Sequence, residues 1–213
     1  MKKIIIFCLL FILNCTVEAS KPTLDIALAE YTKGHTKKAF RIMREACDLG
    51  EERACLTLSG AYKGGKGLPK DNTKVRLYNK KALDLYAQKC NKDNTDSCAM
   101  ASNLYYVGYG TQNFFKSNEY SKKACNWGRM ESCVKLASSY ALGKGARQDY
   151  EKANVYYKKA CDEGEISGCV SLGSNYMLGN GVKKNKSKAK DIFGKACDAG
   201  YQSGCDYYSI LNH

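Results

Sequence analysis

Ten of the twelve cysteines in this 213-residue chain fall into five pairs of one spacing: Cys47/Cys55, Cys90/Cys98, Cys125/Cys133, Cys161/Cys169 and Cys197/Cys205. No other feature limits the fold so sharply. On one continuous helix, residues eight apart would lie about 12 Å apart along the axis, beyond disulfide reach. A chain that joins them must turn in between. Gly50, Gly128, Gly164 and Gly200 stand three residues after the first cysteine in four pairs, where a left-handed helix cap favours glycine. In the remaining pair, residues 91–94 supply turn-forming residues instead. Pairing within each unit would staple the end of one helix to the start of the next, worth about 2.6 kcal/mol per loop by chain entropy. Zinc is the rival use of so many cysteines. The spacing lacks Cys-x-x-Cys, and the chain has only 2 His, so no metal site and no cofactor is expected.

So cysteine-rich a chain belongs in an oxidising compartment. The first residues agree with that. Lys2 and Lys3 precede a short apolar run at 4–13, and Val17 and Ala19 offer small residues before a cleavage point. Residues 1–19 therefore read as a signal peptide and 20–213 as a single repeat domain. A lipidated Cys15 is the competing reading, weakened by Asn14. Loss of the leader takes the formal charge from +13 to +12 and removes Cys8 and Cys15. A secreted or periplasmic protein without a membrane span is expected.

Aligning on the cysteines exposes an internal repeat. First-cysteine positions 90, 125, 161 and 197 give periods of 35, 36 and 36. Cys133, Leu136, Tyr140, Gly143 and Gly145 recur as Cys169, Leu172, Tyr176, Gly179 and Gly181. Cys55, Leu58, Tyr62, Gly65 and Gly67 repeat the pattern, as do Cys98, Ala101, Tyr105, Gly108 and Gly110. Offsets 0, 3, 7 and 10 trace one helical face. Ala39, Ala153 and Ala189 mark a second helix that ends at the next cysteine. The second unit carries about two extra turns, residues 83–89, which lengthen its second helix while nearly preserving the face. These readings give a right-handed αα-solenoid of about eleven helices. Its divisions are an N-terminal pair at 22–54, repeats at 55–97, 98–132, 133–168 and 169–204, and a cap at 205–213.

The motif Cys-x-x-Leu-x-x-x-Tyr-x-x-Gly-x-Gly, followed by Lys-Ala-x-x-Tyr-Tyr-x-Lys-Ala-Cys, resembles Sel1-like repeats, relatives of tetratricopeptide repeats. With the cysteine staple it resembles the Helicobacter cysteine-rich protein family over most of residues 22–211. That resemblance implies an exported solenoid that binds partners. For some members it also implies penicillin binding and slow β-lactamase activity.

The residues themselves supply little catalytic chemistry. A serine β-lactamase needs a serine with a lysine one turn on, together with supporting motifs. Ser132/Lys135 and Ser187/Lys190 meet the first condition, and the supporting motifs are absent. Ser132 adjoins a structural cysteine, and Ser187 opens a second helix. No catalytic residue is assigned. His35 and His213 cannot build a multi-histidine centre. Tyr62, Tyr105, Tyr140 and Tyr176 share the leucine face and read as core. The lysine excess could draw acidic partners, but lysines spread over helix faces are ordinarily solvated, and an exported chain is a poor candidate for nucleic acid.

Shape is what remains. If offsets 0, 3, 7 and 10 are buried, offsets 2, 5 or 6, and 9 face away from the core. Met100, Asn103, Lys135, Ser139, Ser171 and Asn175 are the candidate groove residues, with Thr57, Ala61, Val107, Leu142 and Leu178 beside them. Such a surface suits an extended peptide, a protein segment or a cell-wall fragment, held by Asn103 and Asn175. The expected protein is a monomeric binding module, with a slow β-lactamase acting on a β-lactam as the alternative.

Overall fold

The computed structural model describes residues 21–108 and 110–212. The expected signal peptide, Cys8, Cys15, the predicted mature end at Ser20, and His213 lie outside the described residues. Among the described residues eleven helices follow in order: α1 (Leu24–Thr32), α2 (Thr36–Asp48), α3 (Glu52–Gly64), α4 (Asn72–Lys89), α5 (Thr95–Val107), α6 (Phe114–Asn126), α7 (Met130–Leu142), α8 (Tyr150–Asp162), α9 (Ile166–Leu178), α10 (Lys186–Asp198) and α11 (Gln202–Ile210). Each packs on the next in sequence, and α7 also touches α9. That nearest-neighbour pattern is the mark of a solenoid. Among the described residues the only β-type pairing is an isolated bridge between Asn91 and Asn94.

Local chemistry sets the ends of these helices. Asp71, Asn113, Asp149 and Asn185 each accept a backbone N–H from the first turn of α4, α6, α8 and α10. A side-chain cap of this kind is worth about 1 kcal/mol. Hydrogen bonds from the first-turn backbone hold the Asp71 and Asp149 carboxyls below the ordinary carboxylate range. At the other end, Gly128 N–H donates to Cys125 O while Arg129 N–H donates to Ala124 O. The pattern recurs after Cys47, Cys161 and Cys197. It closes α2, α6, α8 and α10 with a glycine in the left-handed region, as at Gly128 with φ 96°.

All five disulfides join the predicted partners: Cys47 with Cys55, Cys90 with Cys98, Cys125 with Cys133, Cys161 with Cys169 and Cys197 with Cys205. Their Cα–Cα distances are 4.9, 4.6, 4.7, 4.5 and 4.5 Å in that order. Four of them bridge the last turn of a second helix to the first turn of the next helix. The staple at Cys90 reaches the same end differently. α4 runs 18 residues where α6, α8 and α10 run 13. The inserted residues do extend this helix to Lys89, but Cys90 lies just past its end in extended backbone, not in the last turn. Asn91 and Asn94 then form the turn that the other units make with glycine.

The core follows the repeat face. Leu58, Leu136, Cys55, Cys98 and Cys133 are fully buried. Cys205 departs from that rule. It stands at offset 0 of the last unit, in the first turn of α11, yet it is only half-buried where Cys55, Cys98, Cys133 and Cys169 are buried. The reason is its place at the end of the stack: α11 packs on α10, and among the described residues no further helix follows to cover it. Of the residues of α11, Gly204 alone is buried. Cys205 therefore serves to pin the closing helix, not to fill a core.

One position varies instructively between neighbouring helices. Phe193 of α10 fills the space left by Gly173 of α9, where an added Cβ would come within 2.8 Å of the ring. At the equivalent place in α5 and α6 there is no large side chain. Ser102 instead bonds Ser117 and Ser121 at 3.1 and 2.7 Å, and all three are fully buried. The backbone is common, and the filling is not.

Candidate functional site

The six candidate groove residues divide by helical angle. Taking the second cysteine as zero, offsets 0, 3, 7 and 10 cover an arc that ends about 40° from offset 6 and about 80° from offset 2. Ser139 and Asn175 both sit at offset 6, and both are buried, at 2% and 7% exposure. The expectation that they face a groove is therefore corrected. Asn175 donates to Asn154 Oδ1 at 2.7 Å, and Asn154 in turn donates to Asn180 O at 2.7 Å, so this amide chain ties one repeat to the next. Met100, Lys135 and Ser171, at offset 2, are half-buried. Met100 packs on the N-terminal core, and the Ser171 hydroxyl donates back to Ser167 O. Asn103, at offset 5, is exposed.

Two of the six meet. Lys135 of α7 reaches across the repeat boundary and donates to Asn103 Oδ1 of α5 at 2.5 Å. Its ammonium lies 5.1 Å from the centre of the Tyr106 ring. Lys144 approaches the same ring at 5.1 Å and donates to the Tyr106 hydroxyl at 2.8 Å. Lys135 is thus placed to meet the negative face of the ring, while Lys144, bonded to the hydroxyl, stands at the ring's outer edge. No carboxylate ion pair with Lys135 or Lys144 is found among the described residues. Burial pushes the Lys135 amine down to about 8, because the charged form has lost water and its neutral neighbours supply no counter-charge.

Lys144 is held in place by the turn that carries it. Asn118 of α6 donates to Lys144 O at 2.7 Å. Gly145, with φ 67°, presses on the start of α6, where an added Cβ would stand 2.4 Å from the Phe114 carbonyl carbon. Tyr106 packs edge-on against Phe114 at 5.3 Å. The Gly-x-Gly turn thereby does two things. It ends α7, and it fixes a cation over the preceding repeat. Tyr106 and Lys144 escape a reading by periodicity because their contact joins two repeats. The one available hint is the lysine between the glycines, at Lys66 and again at Lys144.

At the N-terminal end of the same side, Leu28, Tyr31, Phe40, Met43, Thr57 and Ala61 line an apolar cleft of about 180 Å³. Thr57 and Ala61 are the first repeat's groove positions. Toward the C-terminal end, Val107, Leu142 and Leu178 close α5, α7 and α9 at 56%, 61% and 60% exposure.

The remaining candidates have other roles. Tyr62 is buried and stacks on Tyr78, and Tyr105 and Tyr140 stack on Tyr120 and Tyr156 while half-buried. Ser132 is buried at 4% exposure, and the lysine one turn on is bonded to Asn103. Ser187 is exposed, and Lys190 lies over Tyr208. His35 Nδ1 is 2.9 Å from the Glu30 carboxylate. Every cysteine from Cys47 to Cys205 is held in a disulfide, so none of them offers a thiolate. Among the described residues no group of three or more His, Cys, Asp or Glu could hold a metal ion, and no helix is long and apolar enough to cross a membrane.

Comparison with known proteins gives a consistent result. The Sel1 repeat family matches residues 34–51, 53–88, 95–126, 131–165 and 166–201. Cysteine rich protein B of Helicobacter pylori is 33% identical over 62% of this chain and 96% of that one, with a TM-score of 0.51. A protective antigen of uropathogenic Escherichia coli displaying an SLR fold is 24% identical over 88% of this chain, with a TM-score of 0.66. The chain spans only 40% of that antigen's length. A Sel1 repeat protein from Oxalobacter formigenes is 19% identical over 82% of this chain and 67% of that one, with a TM-score of 0.61. The latter two speak for the fold alone. No curated protein matches.

Proposed function

The chain belongs to the Sel1 repeat family, among its cysteine-rich, disulfide-stapled members, and from that premise we propose that it is an exported, secreted or periplasmic binding module that captures a peptide or cell-wall fragment on the face formed by its first helices. Sel1 repeats mediate protein interactions, and five disulfides belong to an oxidising, non-cytoplasmic compartment. The observation that carries the reading is the meeting of Lys135 and Lys144 at Tyr106, one against the ring and one on its hydroxyl. Holding the Lys135 cation partly out of water without a counter-charge, beside a second cation, costs stability, and an anionic ligand would offset that cost. Carboxylates are what peptides and peptide-bearing cell-wall fragments share.

The test is direct titration of the oxidised protein with an acidic peptide and, separately, with a muropeptide. Lys135→Glu/Lys144→Glu should weaken binding of the recognised ligand by about 100-fold, with an unchanged circular dichroism spectrum. Full binding by the double variant would move the site elsewhere.

A slow β-lactamase is the second reading. It rests on the resemblance and on a depressed amine one turn after Ser132. Chromogenic cephalosporin turnover that disappears in Lys135→Met would support it. No turnover by highly purified protein removes it.

A further inference from the structure

The lysines of this chain are not spread evenly. Between positions 183 and 190, five of eight residues are lysine: Lys183, Lys184, Lys186, Lys188 and Lys190. They occupy the end of the turn after α9 and the start of α10. The same stretch is far less charged in the other repeats. It holds Lys70, Lys74 and Arg76 with Asp71 at α4, Lys116 alone at α6, and Arg147 and Lys152 with Asp149 and Glu151 at α8. There the capping acids also serve as counter-charges. Lys74 and Lys152 turn back to Asp71 and Asp149, at 3.7 and 3.2 Å. The cap of α10 is the neutral Asn185. No ion pair among the described residues involves any of the five lysines.

Like charges so close together repel, and a densely negative partner relieves that repulsion. The residue type narrows the partner. Arginine grips one phosphate or carboxylate through two parallel hydrogen bonds, whereas lysine is a hydrated point charge on a flexible stem. Lysines without an arginine suit a diffuse field over many anions better than capture of one. An exposed leucine stands at the same turn. A Cβ on Gly179 would lie 3.3 Å from Lys184 Cβ, and Leu178, the residue before Gly179, is 60% exposed. Lys188 returns to the same helix end, donating to the Tyr176 hydroxyl at 2.8 Å. A linear polyanion offers a leucine nothing. A lipid surface offers it apolar chains just beneath the charge, and a basic cluster with an apolar anchor is the pair of signals that surface attachment needs. Since no described helix is long and apolar enough to cross a membrane, such attachment is peripheral.

We infer that the turn between α9 and α10 attaches the protein reversibly to an anionic phospholipid surface. The exposed Lys183, Lys184 and Lys186 lie over the headgroups, and Leu178 dips between them. Lys188 and Lys190, held at Tyr176 and Tyr208, add to the field. A lysine near such a surface is worth about fivefold in partition, so three give about a hundredfold. This attachment needs neither Lys135 nor Lys144. It goes beyond the binding role proposed above, and each can fail alone.

Cosedimentation of the oxidised full chain with lipid vesicles tests it. Vesicles of mixed phosphatidylglycerol and phosphatidylcholine should bind it about a hundredfold better than phosphatidylcholine alone. Raising the salt from about 0.1 M to about 0.5 M should remove most of that preference. Lys183→Gln/Lys184→Gln should weaken partition by about 25-fold. Lys37→Gln/Lys122→Gln removes the same charge from two exposed lysines of α2 and α6, and should cost no more than about twofold. Leu178→Asn should cost about fivefold. All these side chains are exposed, so thermal melts should stay unaltered and a loss of binding cannot be a loss of fold. Equal binding to both vesicle types, or equal losses in the two lysine pairs, would overturn the inference. Soluble heparin is the remaining probe. Binding to it as tight as to anionic vesicles, with Leu178→Asn without effect on either, would replace the lipid surface with a polyanionic chain.

Discussion

Glu30 and Lys135 are both charged groups drawn out of water, and the protein treats them in opposite ways. Glu30 is buried beneath two lysines and a histidine, with His35 Nδ1 at 2.9 Å, Lys38 at 3.0 Å and Lys33 at 3.3 Å. The hydrogen bond to His35, followed by that to Lys38, holds its carboxyl down to about 2. Lys135 has a neutral amide oxygen and an aromatic face, and its amine is pushed down to about 8 by burial. In the first case the neighbours favour the charged form, and in the second the surroundings disfavour it. A charge satisfied on all sides holds a fold together. A charge without a counter-charge at a repeat boundary, beside a second cation, is what the proposed binding role draws on.

The sharpest consequence lies in acid. A carboxyl lowered in the folded state contributes stability that is present above its unfolded value near 4.5 and is lost as pH falls through about 2. Thermal melts from pH 6 to pH 2 should show this loss, and Glu30→Gln should flatten that limb while leaving ligand binding unchanged. An identical acid limb in the variant would break the comparison at its structural end.

The next effect concerns binding. Lys135 is cationic below about 8 and neutral above it. Affinity for an acidic peptide should therefore fall as pH rises through about 8, by about tenfold between pH 7 and pH 9. Lys135→Gln should bind weakly with no such step. A step of equal size in the variant would assign the titration to another group.

The smallest effect is on stability, and its sign is unusual. A lysine whose folded value is depressed binds its proton less readily in the folded chain than in the unfolded one. Stability should therefore rise between about pH 8 and the ordinary lysine value of 10.5. Lys135→Met should remove the penalty and gain about 1 kcal/mol at pH 7 in urea denaturation. Destabilisation by this variant would mean that Lys135 supports the fold more than it burdens it.

Most of the architecture is legible in the sequence because it depends on local chemistry repeated at a fixed period. The pairing of Cys125 with Cys133, the glycine cap at Gly128 and the buried Leu136 each follow from a neighbour within a few residues. The site is less legible, for two reasons. Ser139 and Asn175 fail as groove residues because offset 6 curls back to the core while offset 5, held by Asn103, does not, and one residue turns a helix by about 100°. Tyr106 and Lys144 go unnoticed because what joins them is the stacking of one repeat on another, set by Asn118 and Gly145. Periodicity gives the period and the face. It does not give the contact across the boundary. Two cysteines make the same point at smaller scale. The staple at Cys90 forms although the helix stops one residue short of it. Cys205 has the spacing of its counterparts but not their burial, because burial at offset 0 comes from a following helix, and among the described residues none follows α11.

The claim on which the rest depends is that the first-helix face around Tyr106 is the binding face. Backbone amide shifts of the labelled, oxidised protein, recorded while an acidic peptide is added, test that claim most directly. The account predicts perturbations centred on Asn103, Tyr106, Leu142 and Lys144. Perturbations confined to the outer cleft between Tyr140, Tyr150 and Gly181, with Tyr106 and its lysines unmoved, would contradict it.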